Sequence, residues 1–386
     1  MTLVVTYPTG NPLIVPDNRT NTNHAPPAAR YASASDPHYM FKAGAYYYLL
    51  HNCSNEPQGA VYGQQPPLRG DGGYWYWTVV SRATNPQGPW TDWWCDFAGD
   101  FYSNSRPVGS FDTAYYGAYP NMRDITTIFF ADGKWHLFEH LLNPSGTQDW
   151  RVYHCTNPST NPDVFPTTGW LYPTANTPMM SIADYTGDLL DPDTGTPTNG
   201  WIYPDVRRNP AGGWVAFVHI YNASGRNRIA VTLTSPTLDG PWSVGSKIIG
   251  TYDSYYVECA HYFADGTYHY LTVNYGLKGD AGCIRSALWR ADSILGPYTE
   301  VMRPLIPTQS WGTQYVGPSC VINNGDGTAI GMFYANSPDW IKKIGTFTLS
   351  GLEVAKSITP PLAIRYRSAG AWQDCATHIR TAGVWS

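Results

Sequence analysis

The chain has 386 residues, 14% of them charged, and its formal net charge is −5 at pH 7. This acidic balance argues against nucleic acid or an anionic membrane as the main partner, because both attract basic surfaces. No apolar run reaches the length of a membrane span, and the opening residues MTLVVTYPTG show no signal peptide.

Aromatic residues make up 15% of the chain, with 16 Trp and 29 Tyr. Most are expected in the core, but the surplus fits a sugar-binding protein, because aromatic faces stack on the C–H face of a sugar ring. The 37 Gly and 32 Pro interrupt apolar runs, which is typical of a turn-rich all-β protein. The seven scattered cysteines show no metal-binding spacing and are interpreted mostly as free, buried thiols.

One module recurs five times along the chain. Each copy has a short run that carries an acid in four of the five cases, then a glycine-containing turn, then an aromatic alternating strand. This pattern predicts the inner hairpin of a sheet, with positive φ at the turn. The copies are SDPHYMFKAGAYYYLLHN from Ser35, MRDITTIFFADGKWHLFEH from Met122, YPDVRRNPAGGWVAFVHIY from Tyr203, VECAHYFADGTYHYLTVN from Val257 and GPSCVINNGDGTAIGMFY from Gly317.

The modules predict an all-β fold, a five-bladed β-propeller with four-stranded antiparallel blades over residues 1–357. Gly-Pro-aromatic triplets close three modules and are predicted to be loops that lead into outer strands, because proline cannot join a ladder. Leu3–Tyr7 is predicted to add a strand to the last blade and close the ring. The long excursions Glu56–Tyr74 and Thr174–Asn199 are predicted to be surface loops that build a pocket rim.

Acidic residues occupy the same place in four of the copies. The innermost strands of a propeller surround a central channel, so their starts converge at one end of it. The acids are Asp36, Asp124, Asp205 and Glu258, and the fifth copy has Gly317-Pro318-Ser319 there. Singly, each acid has a structural explanation: Asp36 would cap a turn. Asp205 would pair with Arg207 or Arg208. Together, like charges in one pocket indicate function.

Paired carboxylates in an aromatic-lined pocket are what glycoside hydrolysis needs. One must be protonated to give a proton to the leaving oxygen, and the other must be ionised to activate water or attack the anomeric carbon. A third nearby carboxylate raises the pKa of the acid. Glu258 lies between Tyr255-Tyr256-Val257 and Cys259-Ala260, so desolvation is expected to keep its carboxyl protonated.

The order of these motifs resembles glycoside hydrolase family 43 and its relatives over roughly Ser33–Leu352: Ser-Asp-Pro, Arg-Asp, Tyr-Pro-Asp-Val and Val-Glu-Cys, with Gly-Pro-Trp loops. Members are five-bladed enzymes that act on arabinose, xylose or galactose furanosides and related sugars. The resemblance implies that Asp36 is the general base and Glu258 the general acid. It implies that Asp205 tunes the acid and holds the sugar, and that Asp124 lines a subsite. Further candidate sugar-binding residues are Arg123, His38, Tyr203, His261 and Trp311.

Departures from the family's pattern leave several hypotheses open. Many members hold a central cation through a Gly-His motif in the fifth blade, but Tyr315–Cys320 contains no histidine. No cofactor is therefore required, and a structural calcium in the channel stays an open question. The pair Glu258-Cys259 also resembles the fructosidase families, which act with retention, whereas inversion is the leading hypothesis. A non-catalytic glycan-binding propeller, such as a phage receptor-binding protein, and a purely structural propeller also stay open.

Residues 358–386 are predicted to form a short C-terminal β-rich tail, in which Arg367–Trp372 is echoed by Arg380–Trp385. This repeat resembles the ends of many minor tail proteins of phages that infect actinobacteria. It implies an extracellular or virion-associated enzyme whose partner is a carbohydrate polymer or oligosaccharide, such as furanose-rich wall arabinogalactan. An ordinary bacterial enzyme is the competing hypothesis, and the oligomeric state is left open.

Overall fold

A computed structural model shows the predicted architecture, a five-bladed β-propeller made of antiparallel sheets. It describes residues 2–14, 33–54, 76–95, 123–142, 150–171, 179, 200–221, 228–248, 255–277, 285–312, 315–317, 320–336, 342–354, 365–368 and 371–374. All regular elements in these ranges are strands. The described residues therefore include no helix long and apolar enough to cross a membrane. Both predicted rim loops, Glu56–Tyr74 and Thr174–Asn199, lie outside the described residues.

The strands follow one another in chain order without an intervening helix in the described ranges. They are β1 Val4–Thr6, β2 Ser33–Ala43, β3 Tyr46–Ser54, β4 Tyr76–Ala83, β5 Thr91–Cys95, β6 Arg123–Ala131, β7 Lys134–Leu142, β8 Trp150–Asn157, β9 Gly200–Arg208, β10 Trp214–Tyr221, β11 Arg228–Ser235, β12 Ser243–Lys247, β13 Tyr255–Ala264, β14 His269–Leu277, β15 Arg285–Ala291, β16 Thr299–Met302, β17 Tyr315–Gly317, β18 Val321–Asn323, β19 Thr328–Asn336, β20 Lys342–Ser350, β21 Arg365–Ser368 and β22 Ala371–Asp374.

The blades follow the order of the repeated modules. Blade one is β2–β5, blade three is β9–β12 and blade four is β13–β16, whereas blade two has three described strands, β6–β8, rather than the predicted four. A single parallel pair, Trp150 with Gly200, joins blades two and three into one seven-stranded sheet. Blade five combines β17 and β18 with β19, β20 and the N-terminal strand β1. In that blade β1 pairs antiparallel with β20, with Val4 opposite Ser350. The prediction that the N-terminal segment closes the ring is therefore confirmed.

The hairpin turns use the predicted glycines, with one exception. Positive φ occurs at Gly44, Gly133, Gly213 and Gly327, in the turns of blades one, two, three and five. A Cβ at Gly213 would lie 2.4 Å from the carbonyl oxygen of Ser235, so close approach also favours glycine there. The blade-four turn differs, because Gly266 keeps an ordinary φ. Its Asp265 carboxylate instead accepts the N–H groups of Thr267 and Tyr268, at 2.7 and 2.6 Å.

The Gly-Pro-aromatic loops lead directly into outer strands, as predicted. They precede β5, β12 and β16, and each Gly-Pro peptide bond is cis. The glycine N–H closes the turn in each loop by donating to a carbonyl three residues earlier, as Gly296 does to Ser293 at 2.9 Å. A Cβ at Gly296 would lie 3.1 Å from the ring of Tyr298, so the aromatic side chain folds back over the turn.

Apolar side chains fill each gap between neighbouring blades. Leu50 and Leu137, for example, are fully buried in the cluster between blades one and two. Burying a leucine side chain contributes about 1.5–3 kcal/mol, so these clusters stabilise the contact between neighbouring blades.

A hydrogen-bonded pair of buried histidines lies between blades two and three. His136 Nε2 donates to the carbonyl of Ala131 at 3.1 Å, so its Nδ1 accepts from His154 Nε2 at 2.9 Å. On its other side His154 Nδ1 lies 2.9 Å from the carboxylate of Asp239. Burial, and then the charge of His154, lowers the pKa of His136 to about 4.

The tail strands β21 and β22 form a separate two-stranded antiparallel hairpin, with Arg365 opposite Asp374. Cys155 and Cys320 are buried thiols that are not part of a disulfide, as predicted. The side chains of the other five cysteines lie outside the described residues.

Candidate active site

The four inner strands that begin with an acidic motif share an irregularity at the same end of the channel. Each has a register shift against its hairpin partner. The shift lies between Ser35 and Tyr39 in β2, and between Glu258 and His261 in β13. A bulge bends a strand and redirects its side chains, so these positions are suited to building a site. Blade five instead splits its inner strand into β17 and β18.

Three of the four predicted acids lie at these bulges. Asp36 is inside the bulge of β2, while Asp124 and Glu258 lie just before the bulges of β6 and β13. Their backbone positions agree with the predicted convergence at one channel end. Their side chains, and that of Arg123, lie outside the described ones, so the distance between the Asp36 and Glu258 carboxyl groups stays a prediction.

Asp205 is the exception, and the prediction that it shares the phase of the other acids is wrong. It lies after the bulge of β9, on the turn side, opposite Phe217. The cause is the turn itself, because β9 ends at Arg208 and β10 begins only at Trp214, whereas two residues separate β2 from β3. Counting back from the turn glycine therefore places Asp205 too close to the start of the strand.

Asp205 forms a buried ion pair with Arg207, which is the structural explanation that the sequence offered. The carboxylate is 1% exposed and its Oδ1 lies 2.7 Å from Arg207 Nε, although that N–H does not point along the contact. Arg207 Nη2 donates to Asp205 Oδ2 at 3.1 Å, and the backbone N–H of Tyr262 donates to the same oxygen at 2.7 Å. Asp205 thus joins blade three to blade four.

The guanidinium of Arg207 extends this contact to blade one. It donates to the hydroxyl of Tyr39 at 2.9 Å and to the carbonyl of Tyr262 at 3.1 Å. It also lies over the Tyr39 ring, 4.7 Å from the centroid. Burial raises the pKa of Asp205, against the effects of Arg207 and the Tyr262 N–H. Burial opposes the charge of Arg207, but the Asp205 carboxylate outweighs it and raises the Arg207 pKa. The pair therefore holds three blades together.

The bulges are also tied to neighbouring blades through backbone carbonyls. The hydroxyls of Thr126 and Thr127 in blade two both donate to the carbonyl of Pro204 in blade three, at 2.6 and 2.7 Å. The N–H of Cys320 in blade five donates to the carbonyl of Pro37 in blade one, at 3.3 Å. Pro37 and Pro204 belong to the bulges, so these bonds fix the bend of the strand beside the candidate site.

Tyr203, a predicted sugar-binding residue, lies at the centre of a histidine cluster. It sits in the bulge of β9 with φ of 54°, a conformation that costs a non-glycine residue energy and is concentrated at functional sites. Its ring stacks on His38 at 5.6 Å and contacts His140 at 4.8 Å and His219 at 6.2 Å between centroids. Blades one, two and three each contribute one of these imidazoles.

His38 and His261, also predicted as pocket residues, lie close together. Their ring centroids are 6.4 Å apart, and both side chains are buried. His38 Nε2 lies 2.7 Å from the side-chain nitrogen of Asn52. Burial first, and then the charges of His38, Arg207 and His219, keeps the pKa of His261 well below 6.5. His261 is therefore a neutral imidazole at physiological pH.

Sequence reasoning missed a second ring of polar residues, on the second strand of four blades. Each is fully buried and lies opposite the last inner-strand residue before the bulge. These residues are Asn52, Glu139, His219 and Asn274. A signal was present, because the repeated copies carry Leu-His-Asn, Phe-Glu-His, Phe-Val-His and Thr-Val-Asn at or near their ends.

Trp311 is not part of this cluster. Its ring is partly buried in the apolar cluster between blades four and five, where it packs on Phe333 with centroids 5.5 Å apart. Its described ring contact is thus with the core rather than with the channel histidines.

Whether the channel holds a calcium ion stays a prediction, because the side chains of Asp36, Asp124 and Glu258 lie outside the described ones. Calcium takes six to eight oxygen ligands, whereas the groups that surround Tyr203 are imidazole rings. Among the described residues, no three His, Cys, Asp or Glu side chains come together as metal ligands.

In sequence, the chain matches no family model and no curated protein. In structure, it is similar to a solved glycoside hydrolase with a TM-score of 0.60 and 12% identity, over 90% of this chain and 96% of the other. It is similar to the α-L-arabinofuranosidase PaAbf62A from Podospora anserina, in complex with cellotriose, with a TM-score of 0.54 and 13% identity over 89% and 96% of the chains. A third similar structure, named as a complex of BT0996 and RGII, has a TM-score of 0.59 and 11% identity over 87% and 92%. At these identities the likeness shows the fold.

Proposed function

We propose that the protein is a glycoside hydrolase that cleaves arabinofuranoside, galactofuranoside or xyloside linkages in a polysaccharide. The observation that carries the proposal is the position of Asp36 and Glu258 at the bulges of two inner strands, at one end of a propeller channel. Buried imidazoles and the strained Tyr203 surround that end. The structural likeness to a glycoside hydrolase and to an arabinofuranosidase supports the same function.

In the proposed mechanism the two acids act on opposite sides of the sugar. Asp36 removes a proton from a water molecule that attacks the anomeric carbon, and Glu258 gives its proton to the leaving oxygen. Inversion requires room for that water, so the two carboxyl groups are expected roughly 6.5–9.5 Å apart. A separation of about 5–5.5 Å would instead make Asp36 a nucleophile and give retention, as in the fructosidase hypothesis.

Asp205 contributes to this mechanism indirectly, through the position of a neighbouring strand. Its carboxylate is occupied by Arg207 and by the N–H of Tyr262, the residue after His261 on the acid-bearing strand β13. We expect it to position that strand rather than to contact the sugar. Asp124, in blade two, and Tyr203 are proposed to line the sugar subsite.

Activity on small substrates tests the proposal. The wild-type protein is expected to release the aryl group from at least one of aryl α-L-arabinofuranoside, β-D-xyloside and β-D-galactofuranoside. Asp36→Ala is the control, and it should bind the same sugars without cleaving them. Sugar binding by both proteins with no cleavage by either would favour the hypothesis of a non-catalytic glycan-binding propeller.

We also propose that the enzyme acts outside the cell or on a virion, on furanose polymers of a bacterial wall. The repeat in the C-terminal tail motivates this location. Release of arabinose or galactose from purified actinobacterial wall would support it. Activity on plant arabinan or xylan with none on the wall polymer would overturn it.

A further inference from the structure

Asn274 on β14 is a buried amide whose hydrogen-bonding groups are not used by the protein. The side chain is 0% exposed. Within the described part of the chain, neither its Oδ1 nor its Nδ2 has a hydrogen-bond partner. Burial of such a group costs stability unless a new hydrogen bond replaces those that it makes to water in the unfolded chain. Buried polar groups without a partner are few in native proteins, and a water molecule, an ion or a functional role accounts for them.

The strand register places Asn274 beside the proposed acid. Asn274 lies directly opposite Glu258 on one side and opposite Ser286 on the other. Ser286 does not satisfy the amide, because its hydroxyl accepts the N–H of Ile306 at 2.7 Å and lies 3.3 Å from the Ile306 carbonyl. The unbonded amide is thus next to the acid in the ladder.

A second unsatisfied group lies on the same face of blade four. Thr272 precedes Asn274 by two residues on β14, and His261 lies opposite Thr272, so the three side chains share one face. The Nδ1 of His261 is buried without a hydrogen-bond partner among the described residues. Two neighbouring side chains on the strands of Glu258 and Asn274 therefore have polar atoms without a hydrogen-bond partner among the described residues.

Asn52 shows that the position does not require an unsatisfied amide. It is the blade-one counterpart of Asn274, equally buried and opposite Ser35 at the bulge of β2. Its Nδ2 lies 2.7 Å from His38 Nε2, and the hydroxyl of Thr78 donates to its Oδ1 at 3.5 Å. The same residue type at the same register is thus a structural bridge in one blade and unbonded in another.

We infer that Asn274 is a substrate-binding residue whose amide donates to and accepts from one hydroxyl of the sugar held beside Glu258. The inference rests on the proposed function and adds a residue to its site. A hydroxyl both donates and accepts, and so matches an amide that offers both roles. A carboxylate would satisfy only Nδ2, and neutral His261 adds no positive charge to attract one. The site therefore selects a neutral hydroxyl over the carboxylate of a uronic acid.

The first test compares stability in two matched variants. Asn274→Leu removes an unsatisfied amide at nearly constant volume, so its thermal midpoint should equal or exceed that of the wild type. Asn52→Leu removes a bonded amide and should unfold at a clearly lower temperature. If Asn274→Leu loses as much stability as Asn52→Leu, Asn274 is structural and the inference is overturned. Asn274→Ala, which cannot overpack the site, checks that an adverse result is not a steric effect.

The second test asks whether Asn274 forms hydrogen bonds with one particular hydroxyl of the sugar. The substrate is the aryl glycoside that the wild type cleaves best, with monodeoxy analogues that each lack a single hydroxyl. One analogue should lower wild-type kcat/KM by about 10- to 100-fold, the range of one or two hydrogen bonds. Asn274→Leu should lower kcat/KM on the parent substrate by a similar factor and show no further loss with that analogue. Equal sensitivity of both proteins to every analogue would overturn the inference while leaving the proposed function intact.

An inactive wild type is a separate outcome, because it contradicts the proposed function itself. Asn274 is then tested by calorimetric titration of an arabino-oligosaccharide into the wild type and Asn274→Leu. Weaker binding by the variant supports the inference, and equal binding or none overturns it.

Discussion

Replacement of Asp205 by leucine is expected to lower the free energy of unfolding by about 3–5 kcal/mol, the cost of removing one partner of a buried ion pair while the other stays buried and charged. The structure gives the reason. The carboxylate is 1% exposed, and its Oδ1 lies 2.7 Å from Arg207 Nε. Its Oδ2 accepts hydrogen bonds from Arg207 Nη2 at 3.1 Å and from the Tyr262 N–H at 2.7 Å. Its loss leaves the Arg207 charge buried and that N–H unpaired, at about 1–3 kcal/mol for an unpaired neutral group alone.

Denaturant unfolding of four variants measures this cost. Arg207→Met should be destabilised about as much as Asp205→Leu. The double variant should recover much of the loss, because an apolar pair of similar size needs no compensating charge. Arg208→Met is the matched control, since Arg208 is exposed on the same strand and lies over the Trp214 ring. It should cost at most about 1 kcal/mol.

Strict additivity of the two single losses in the double variant would refute the reasoning. A loss below about 1 kcal/mol in Asp205→Leu, within the range of a surface ion pair, would refute it as well. Either result would return Asp205 to the role implied by family resemblance, that of a group which contacts the sugar.

Three further perturbations concern the acid, a buried histidine and the tail. Glu258→Gln should lower turnover by about two to four orders of magnitude on poor leaving groups and by less on activated aryl glycosides, which need less protonation. His136→Phe should flatten the decline in thermal midpoint between pH 6.5 and about 4, because the pKa of His136 is lowered from 6.5 to about 4 in the fold. The unfolded chain binds a proton there that the folded chain does not, so stability falls as the pH falls through this window. Deletion of Arg365–Ser386 should leave hydrolysis of small furanosides unchanged, because β21 and β22 pair only with each other among the described strands.

Each of these has a plain contrary result. Equal losses on both leaving-group classes would assign Glu258 another role. An unchanged slope in His136→Phe would place the proton uptake elsewhere, with His269, whose pKa burial also lowers, as the next group to replace. Lost activity in a deletion variant that remains folded would show that the tail serves the site.

The fold could be predicted because the residues that end its strands are recognisable from short stretches of sequence. Turn glycines and Gly-Pro-aromatic loops fix where strands stop, and five copies of one pattern fix how many blades there are. Even ring closure could be predicted, because Val4–Thr6 consists of β-branched residues, which favour a strand, and this strand pairs with the last blade. None of these inferences needs a distance between residues that are far apart in the chain.

The site could be predicted less completely, because register depends on turn length. The position of Asp205 is set by a turn that is longer than its counterpart in blade one, which sequence spacing alone does not reveal. The positive φ of Tyr203 has no sequence mark, since tyrosine rarely adopts it. Asn274 and Asn52 are identical in type and register, and only their neighbours in space distinguish them.

The central claim is that two carboxylates of this propeller hydrolyse a glycosidic bond with inversion. Proton NMR of the wild-type protein with its best aryl glycoside observes both parts of the claim at once. The account predicts that the first anomer to appear has the configuration opposite to that of the substrate, and that Asp36→Ala produces none. First appearance of the retained anomer would contradict inversion, and no cleavage of any furanoside or xyloside tested would contradict the enzyme itself.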